Sequence, residues 1–198
     1  MFKHIPNILT IIRFFLIPII VSYIVKGDYI LAFIFLTISG LTDVLDGFIA
    51  RKFNFITNFG KLIDPLADKA TQIAVLATLA LHDVIPLWIL IIVLLKEFAM
   101  ISGASFLYGK EFVVSSKWYG KLSTVLFYVA IVSSFFIRQF NTTLLNHPEY
   151  SMPTLPSFDQ YLYYLALIAT IFSLVMYVRA FYVQGYLKKE NLKIENKN

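Results

Sequence analysis

Two pairs of aspartates hold most of the chemical potential of this sequence. Asp43 and Asp46 stand three residues apart and Asp64 and Asp68 four apart, and together they make up four of the twelve acidic residues in a 198-residue chain. Both spacings put two side chains on one face of a helix. Carboxylates crowded in this way repel one another unless one positive charge neutralises several of them. The chain has no cysteine and only three scattered histidines, His4, His82 and His147. Its ligands are therefore oxygens, which suit Mg²⁺ or Mn²⁺. Two such ions need bridging carboxylates, and convergent pairs supply them. Each acid taken alone also has a reading without metal. Asp64 before Pro65 fits a helix start, with Asp as cap and Pro in the first position. Asp43 and Asp46 fit interfacial salt bridges to Arg51 or Lys52.

The elements that must carry these acids are apolar. The chain is 59% hydrophobic and only 15% charged, with a mean hydropathy of +0.74, against about 45–50% apolar and about 25% charged in ordinary soluble domains. This balance predicts a membrane protein and offers nothing to a nucleic-acid partner. Six stretches are long enough to cross hydrocarbon as helices: Thr10–Val25, Tyr29–Ala50, Lys61–Leu81, Pro86–Tyr108, Trp118–Phe140 and Gln160–Gln184, each near the roughly 20 residues that a span requires. They are continuous and not alternating, so they predict an all-α polytopic bundle and exclude a β-barrel. Pro18 predicts a kink in the first span. The N-terminal stretch has no small-residue cleavage site and is interrupted by Arg13, so it reads as a retained span and not as a signal peptide.

Basic residues orient the bundle. With six spans, twelve Lys and Arg fall to one side, among them Lys3, Arg51, Lys52, Lys110, Lys117 and Lys188. The other side receives only Lys26 and Arg138, while Arg13, Lys69 and Lys96 lie within spans. By the positive-inside rule both termini are expected in the cytoplasm, in a multi-pass cell-membrane protein whose acids lie at the cytoplasmic face. One domain over 1–187 and a basic cytoplasmic tail over 188–198 are expected, with the tail at the lipid headgroups.

The residues between the acids complete a pattern. Asp43, Asp46, Gly47, Ala50 and Arg51 form DxxDGxxAR; after eight intervening residues Gly60, Asp64 and Asp68 form GxxxDxxxD. This resembles the signature of the CDP-alcohol phosphatidyltransferase family, and Pro6, Asn7, Thr10 and Arg13 resemble that family's PNxxTxxR element. The resemblance implies that Asp43, Asp46, Asp64 and Asp68 hold two divalent ions, Mg²⁺ or Mn²⁺, against the diphosphate of CDP-diacylglycerol. It further implies that Gly47, Ala50 and Gly60 admit the nucleotide and that Arg51, with Asn7 and Arg13, lines its polar parts. Asp68 would accept the proton of the attacking hydroxyl. Lys96-Glu97-Phe98-Ala99 and Gly120-Lys121 resemble segments of the phosphatidylglycerophosphate-synthase branch, which implies glycerol 3-phosphate as acceptor, held by Lys96, Lys117 and Lys121. The sequence departs from that branch at Lys96, where Arg is expected, and at Ser102-Gly103-Ala104, where a second Arg usually follows. A cardiolipin synthase of the same family is the alternative. A homodimer is expected from the resemblance.

A transporter also explains acids within spans, but it predicts acids at mid-membrane and paired half-repeats. Here the acids cluster at one face, and no second copy of the pattern occurs.

Overall fold

The computed structural model of the chain describes residues 5–53, 58–106, 118–146 and 153–183. They form six α-helices, and no strand occurs among the described residues: α1 (Ile5–Val25), α2 (Tyr29–Lys52), α3 (Asn58–Leu81), α4 (Leu87–Phe106), α5 (Trp118–Asn146) and α6 (Asp159–Val183). The expected tail, 188–198, and Lys117 lie outside the described residues. Among the described residues four helices are long and apolar enough to cross a membrane, through Ile8–Val25, Tyr29–Ala50, Trp118–Asn146 and Asp159–Arg179. α3 carries Lys61, Asp64, Asp68 and Lys69, and these charges keep it out of that class.

Local chemistry sets the helix ends. α1 closes with Gly27 in the left-handed region at φ 77°. There the Asp28 N–H donates to the Tyr23 carbonyl at 3.0 Å and the Gly27 N–H to the Ile24 carbonyl at 3.0 Å, the paired bonds that satisfy carbonyls otherwise left open at a helix C-terminus. Asp28 then caps α2, its carboxylate accepting from the Leu31 N–H at 3.3 Å. The same closure ends α3, with Asp83 at φ 56° and the Val84 N–H donating to the Leu79 carbonyl at 2.9 Å. Helix α1 runs through Pro18 without ending. α3 begins at Asn58, so Asp64 and Pro65 lie inside it, and the helix-start reading of that pair does not hold.

The chain divides into two compact units. The first comprises Met1–Ile91 and Ile131–Asp159, and in it α1 packs along both α2 and α3. Ile20, Ile24, Ala32, Leu76 and Leu79 are buried there. The start of α2 is fastened to α5. The Tyr29 N–H donates to Gln139 Oε1 at 3.0 Å, and Tyr29 and Phe33 lie against Phe135 and Phe136, at 6.0 and 5.1 Å between ring centroids. Ser134 donates to the buried Asp159 at 2.6 Å.

The second unit comprises Ile92–Ala130 and Gln160–Asn198. Tyr119 of α5 meets Tyr177 of α6 edge to face at 4.9 Å. Gly120 makes room for that contact, because a Cβ there would lie 2.8 Å from the Tyr177 hydroxyl.

Burial departs from that of a water-soluble protein at the surface and at a few buried polar positions. Phe15, Val44, Leu95, Phe98 and Ile168 are exposed, while Thr10, Arg13, Asp46, Lys96, Glu97 and Asp159 are buried. Lipid is the solvent that makes this arrangement favourable, since polar groups must find partners inside the protein while apolar groups face hydrocarbon at no cost.

Candidate functional site

The site is built on α1. Thr10 and Arg13 are three residues apart and so share a helix face; both are buried, Arg13 at 2% exposure. A guanidinium inside an apolar helix must be paired, since it cannot lose its proton. Its partners come from α2. Arg13 Nη1 lies 2.6 Å from Asp43 Oδ1, and Nη2 donates to Asp46 Oδ2 at 2.6 Å. The fork thus spans two carboxylates instead of gripping one. The Asp46 contact is an aligned hydrogen bond, whereas the Asp43 contact is a close charge pair without that alignment, and the Arg13 Nε has no partner. Thr10 ties in α3. Its hydroxyl lies 2.7 Å from Asp64 Oδ1 and 3.4 Å from Asp46 Oδ2, so its one proton goes to the nearer Asp64.

Three of the four acids therefore meet on two side chains of the first helix. Asp46 is buried, Asp64 half-buried, and Asp43 open at 48%. Asp68 is half-buried one turn beyond Asp64. Among the described residues no three of these carboxylates close on a common centre. Arg13 takes an oxygen each from Asp43 and Asp46. The donor set still suits a divalent cation: three carboxylates against one guanidinium leave an excess of negative charge among oxygen ligands.

Asp43 and Asp46 pair with Arg13, while of the two partners that the metal-free reading offered, the Lys52 ammonium lies over Phe48 and Phe53 at 5.4 and 5.9 Å from the ring centroids. Gly47 and Ala50 are half-buried on α2 beyond the acids. Arg51 and Asn7 belong to α2 and α1, and Gly60 to the start of α3; the surroundings of these three lie outside the described residues.

The acceptor candidates belong to the second unit. Lys96 donates to Glu97 at 2.6 Å with both side chains buried, so its charge is already matched. Lys121 is exposed, one residue after the close Gly120–Tyr177 approach.

The bridging role of Thr10 and the pairing of Arg13 with Asp43 and Asp46 are not contained in the motif spacing. The available signal was a lone arginine in an apolar span, a group that requires acids nearby.

An all-helical protein with apolar outer surfaces and an acid cluster gathered on its first three helices defines a membrane protein equipped for ionic chemistry. The chain belongs to the CDP-alcohol phosphatidyltransferase family, whose profile matches residues 3–178, and it is an enzyme of that class. It is 34% identical over 167 residues to a CDP-diacylglycerol–glycerol-3-phosphate 3-phosphatidyltransferase of Mycoplasma genitalium, covering 82% of this chain and 67% of the relative. It is 33% identical over 160 residues to the protein of the same name from Bacillus subtilis, covering 73% and 82%. A shorter match, 39% identical over 111 residues, covers 56% of this chain and 32% of a Drosophila melanogaster protein named "Probable cardiolipin synthase (CMP-forming)".

Proposed function

We propose that this protein transfers the phosphatidyl group of CDP-diacylglycerol to glycerol 3-phosphate and releases CMP, as a step of phospholipid synthesis. The observation that carries this reading is the acid cluster, Asp43, Asp46 and Asp64 gathered on Thr10 and Arg13, in a chain matched by the family almost from end to end. The bilayer setting fits, because the acyl chains of the donor stay in lipid while its diphosphate reaches the carboxylates.

In the reaction a glycerol hydroxyl oxygen forms a bond to the phosphorus that bears the diacylglycerol. The bond from that phosphorus to the oxygen of CMP breaks, and the hydroxyl proton passes to Asp68. Asp43, Asp46, Asp64 and Asp68 would hold two divalent ions, Mg²⁺ or Mn²⁺, which offset charge on the diphosphate and improve CMP as leaving group. Gly47, Ala50 and Gly60 leave space for cytidine, and Arg51 and Asn7 hold its polar parts. Lys121, exposed and unburdened by a buried acid, is the better of the described lysines for the acceptor's phosphate; Lys117 is the further candidate. Six spans, cytoplasmic termini and a cytoplasm-facing site complete the proposal, resting on the distribution of Lys and Arg, and a homodimer rests on family likeness.

The test is CMP release by the purified protein with CDP-diacylglycerol and Mg²⁺ or Mn²⁺, offered glycerol 3-phosphate or phosphatidylglycerol. Turnover with glycerol 3-phosphate is expected. Turnover with phosphatidylglycerol alone would make the protein a cardiolipin synthase, and CMP release with neither acceptor would refute both readings.

A further inference from the structure

The following rests on the reading of the carboxylates as a divalent-cation site. Arg13 holds one oxygen of Asp43 and one of Asp46, each at 2.6 Å. A divalent cation binds such oxygens directly, at about 2.0–2.1 Å for Mg²⁺. Cation and guanidinium therefore compete for the same lone pairs. Without a cation, unpaired acids packed this closely would repel one another, and Asp46 is buried at 3% exposure. One arginine limits that cost. Its hold is also incomplete, because Nε lacks a partner and the Asp43 contact is not an aligned hydrogen bond. The Thr10 hydroxyl, in contrast, takes up the nearest oxygen of Asp64 only as a donor, which leaves carboxylate lone pairs available to an ion.

We propose that Arg13 is a positioning residue that serves as the site's internal counter-ion: its guanidinium occupies Asp43 and Asp46 while no divalent cation is bound and yields their oxygens when one arrives. The displaced guanidinium carries N–H groups in need of an acceptor, and the phosphate of the incoming donor supplies oxygens of the right charge and geometry. Binding of ion and donor is thereby coupled. The ion frees the arginine, and the donor compensates it.

The experiment measures Mn²⁺ binding to the purified full-length protein by the loss of the free-ion paramagnetic resonance signal, in the absence of nucleotide. Arg13→Ala and Arg13→Gln are expected to bind Mn²⁺ roughly tenfold more tightly than the wild type, because a competing positive charge has gone. Arg13→Lys, which keeps the charge, is expected near the wild-type value. A merely structural arginine predicts the opposite sign, with weaker ion binding as the acids lose their support. Equal or weaker binding in the Ala and Gln variants overturns the proposal.

A measurement on the unaltered protein covers the case in which those variants fail to fold. Mn²⁺ added without donor is expected to raise the reaction of Arg13 with phenylglyoxal, read by peptide mass, and unchanged or lower reactivity overturns the proposal as well. If the wild type binds no Mn²⁺ even with CDP-diacylglycerol present, the metal reading falls and this inference with it. If the wild type binds Mn²⁺ and the Arg13 variants bind it no differently, only the inference falls.

Discussion

Arg13 and Asp46 are both nearly sealed from solvent, and each is tolerable there only because of the other. Breaking a buried pair by removing one partner typically costs about 3–5 kcal/mol, since it strands the remaining charge. Loss of activity in an Asp46 or Arg13 variant therefore mixes chemistry with folding. Asp68 is the cleaner probe, being half-buried on α3 one turn beyond Asp64, whereas Arg13 pairs with Asp43 and Asp46 of α2. Asp68→Asn keeps an oxygen donor but loses the capacity to take a proton. It is expected to lower kcat by about 10²–10⁴-fold, the usual worth of a positioned base, while the protein still retains labelled CDP-diacylglycerol in equilibrium binding. Near-normal turnover would remove Asp68 from the base role.

At the scale of the element, the glycine of Gly120-Lys121 has a physical reason that its motif did not reveal. Helix α5 brings its backbone against the Tyr177 hydroxyl of α6, where a Cβ would stand 2.8 Å away. Gly120→Ala must push Tyr177 aside and disturb its edge-to-face contact with Tyr119. The expected loss is about 1–3 kcal/mol, the range for overpacking a tight contact, read as a lower melting temperature in detergent. Gly120→Ala together with Tyr177→Phe, which removes the clashing oxygen, is expected to regain part of that loss. An alanine variant as stable as the wild type would show that Tyr177 moves freely. The turns are a different matter. Gly27-Asp28 was legible as a helix break because glycine enters the left-handed region without strain, and the structure uses it so. Asp83 adopts the same conformation without being glycine, which no reading of residue type alone distinguishes from an ordinary loop.

For the molecule as a whole, the absence of cysteine makes any introduced thiol unique, and the exposed Lys26 and Lys52 mark opposite ends of α2. With cytoplasmic termini, Lys26→Cys is expected to react with an impermeant maleimide on intact spheroplasts. Lys52→Cys is expected to react only after the membrane is opened. The reverse pattern would invert the topology and place the acids on the outer side. The outward apolar residues, such as Phe15 and Ile168, and the few buried polar ones, such as Arg13 and Asp46, follow from one solvent, hydrocarbon, in which polar groups must find partners inside the protein.

The class of the protein and the identity of its acids were determined by the sequence itself. Apolar length sets helices, and spacings of three and four set faces; both are short-range properties that a linear reading contains. What each acid touches was decided only by the tertiary structure. Asp46 meets Arg13 across 33 residues and Asp64 meets Thr10 across 54, separations that no local spacing reveals. Those pairings exist because α1 packs along both α2 and α3. There its arginine had no water to turn to and could be satisfied only by the acids it was brought against.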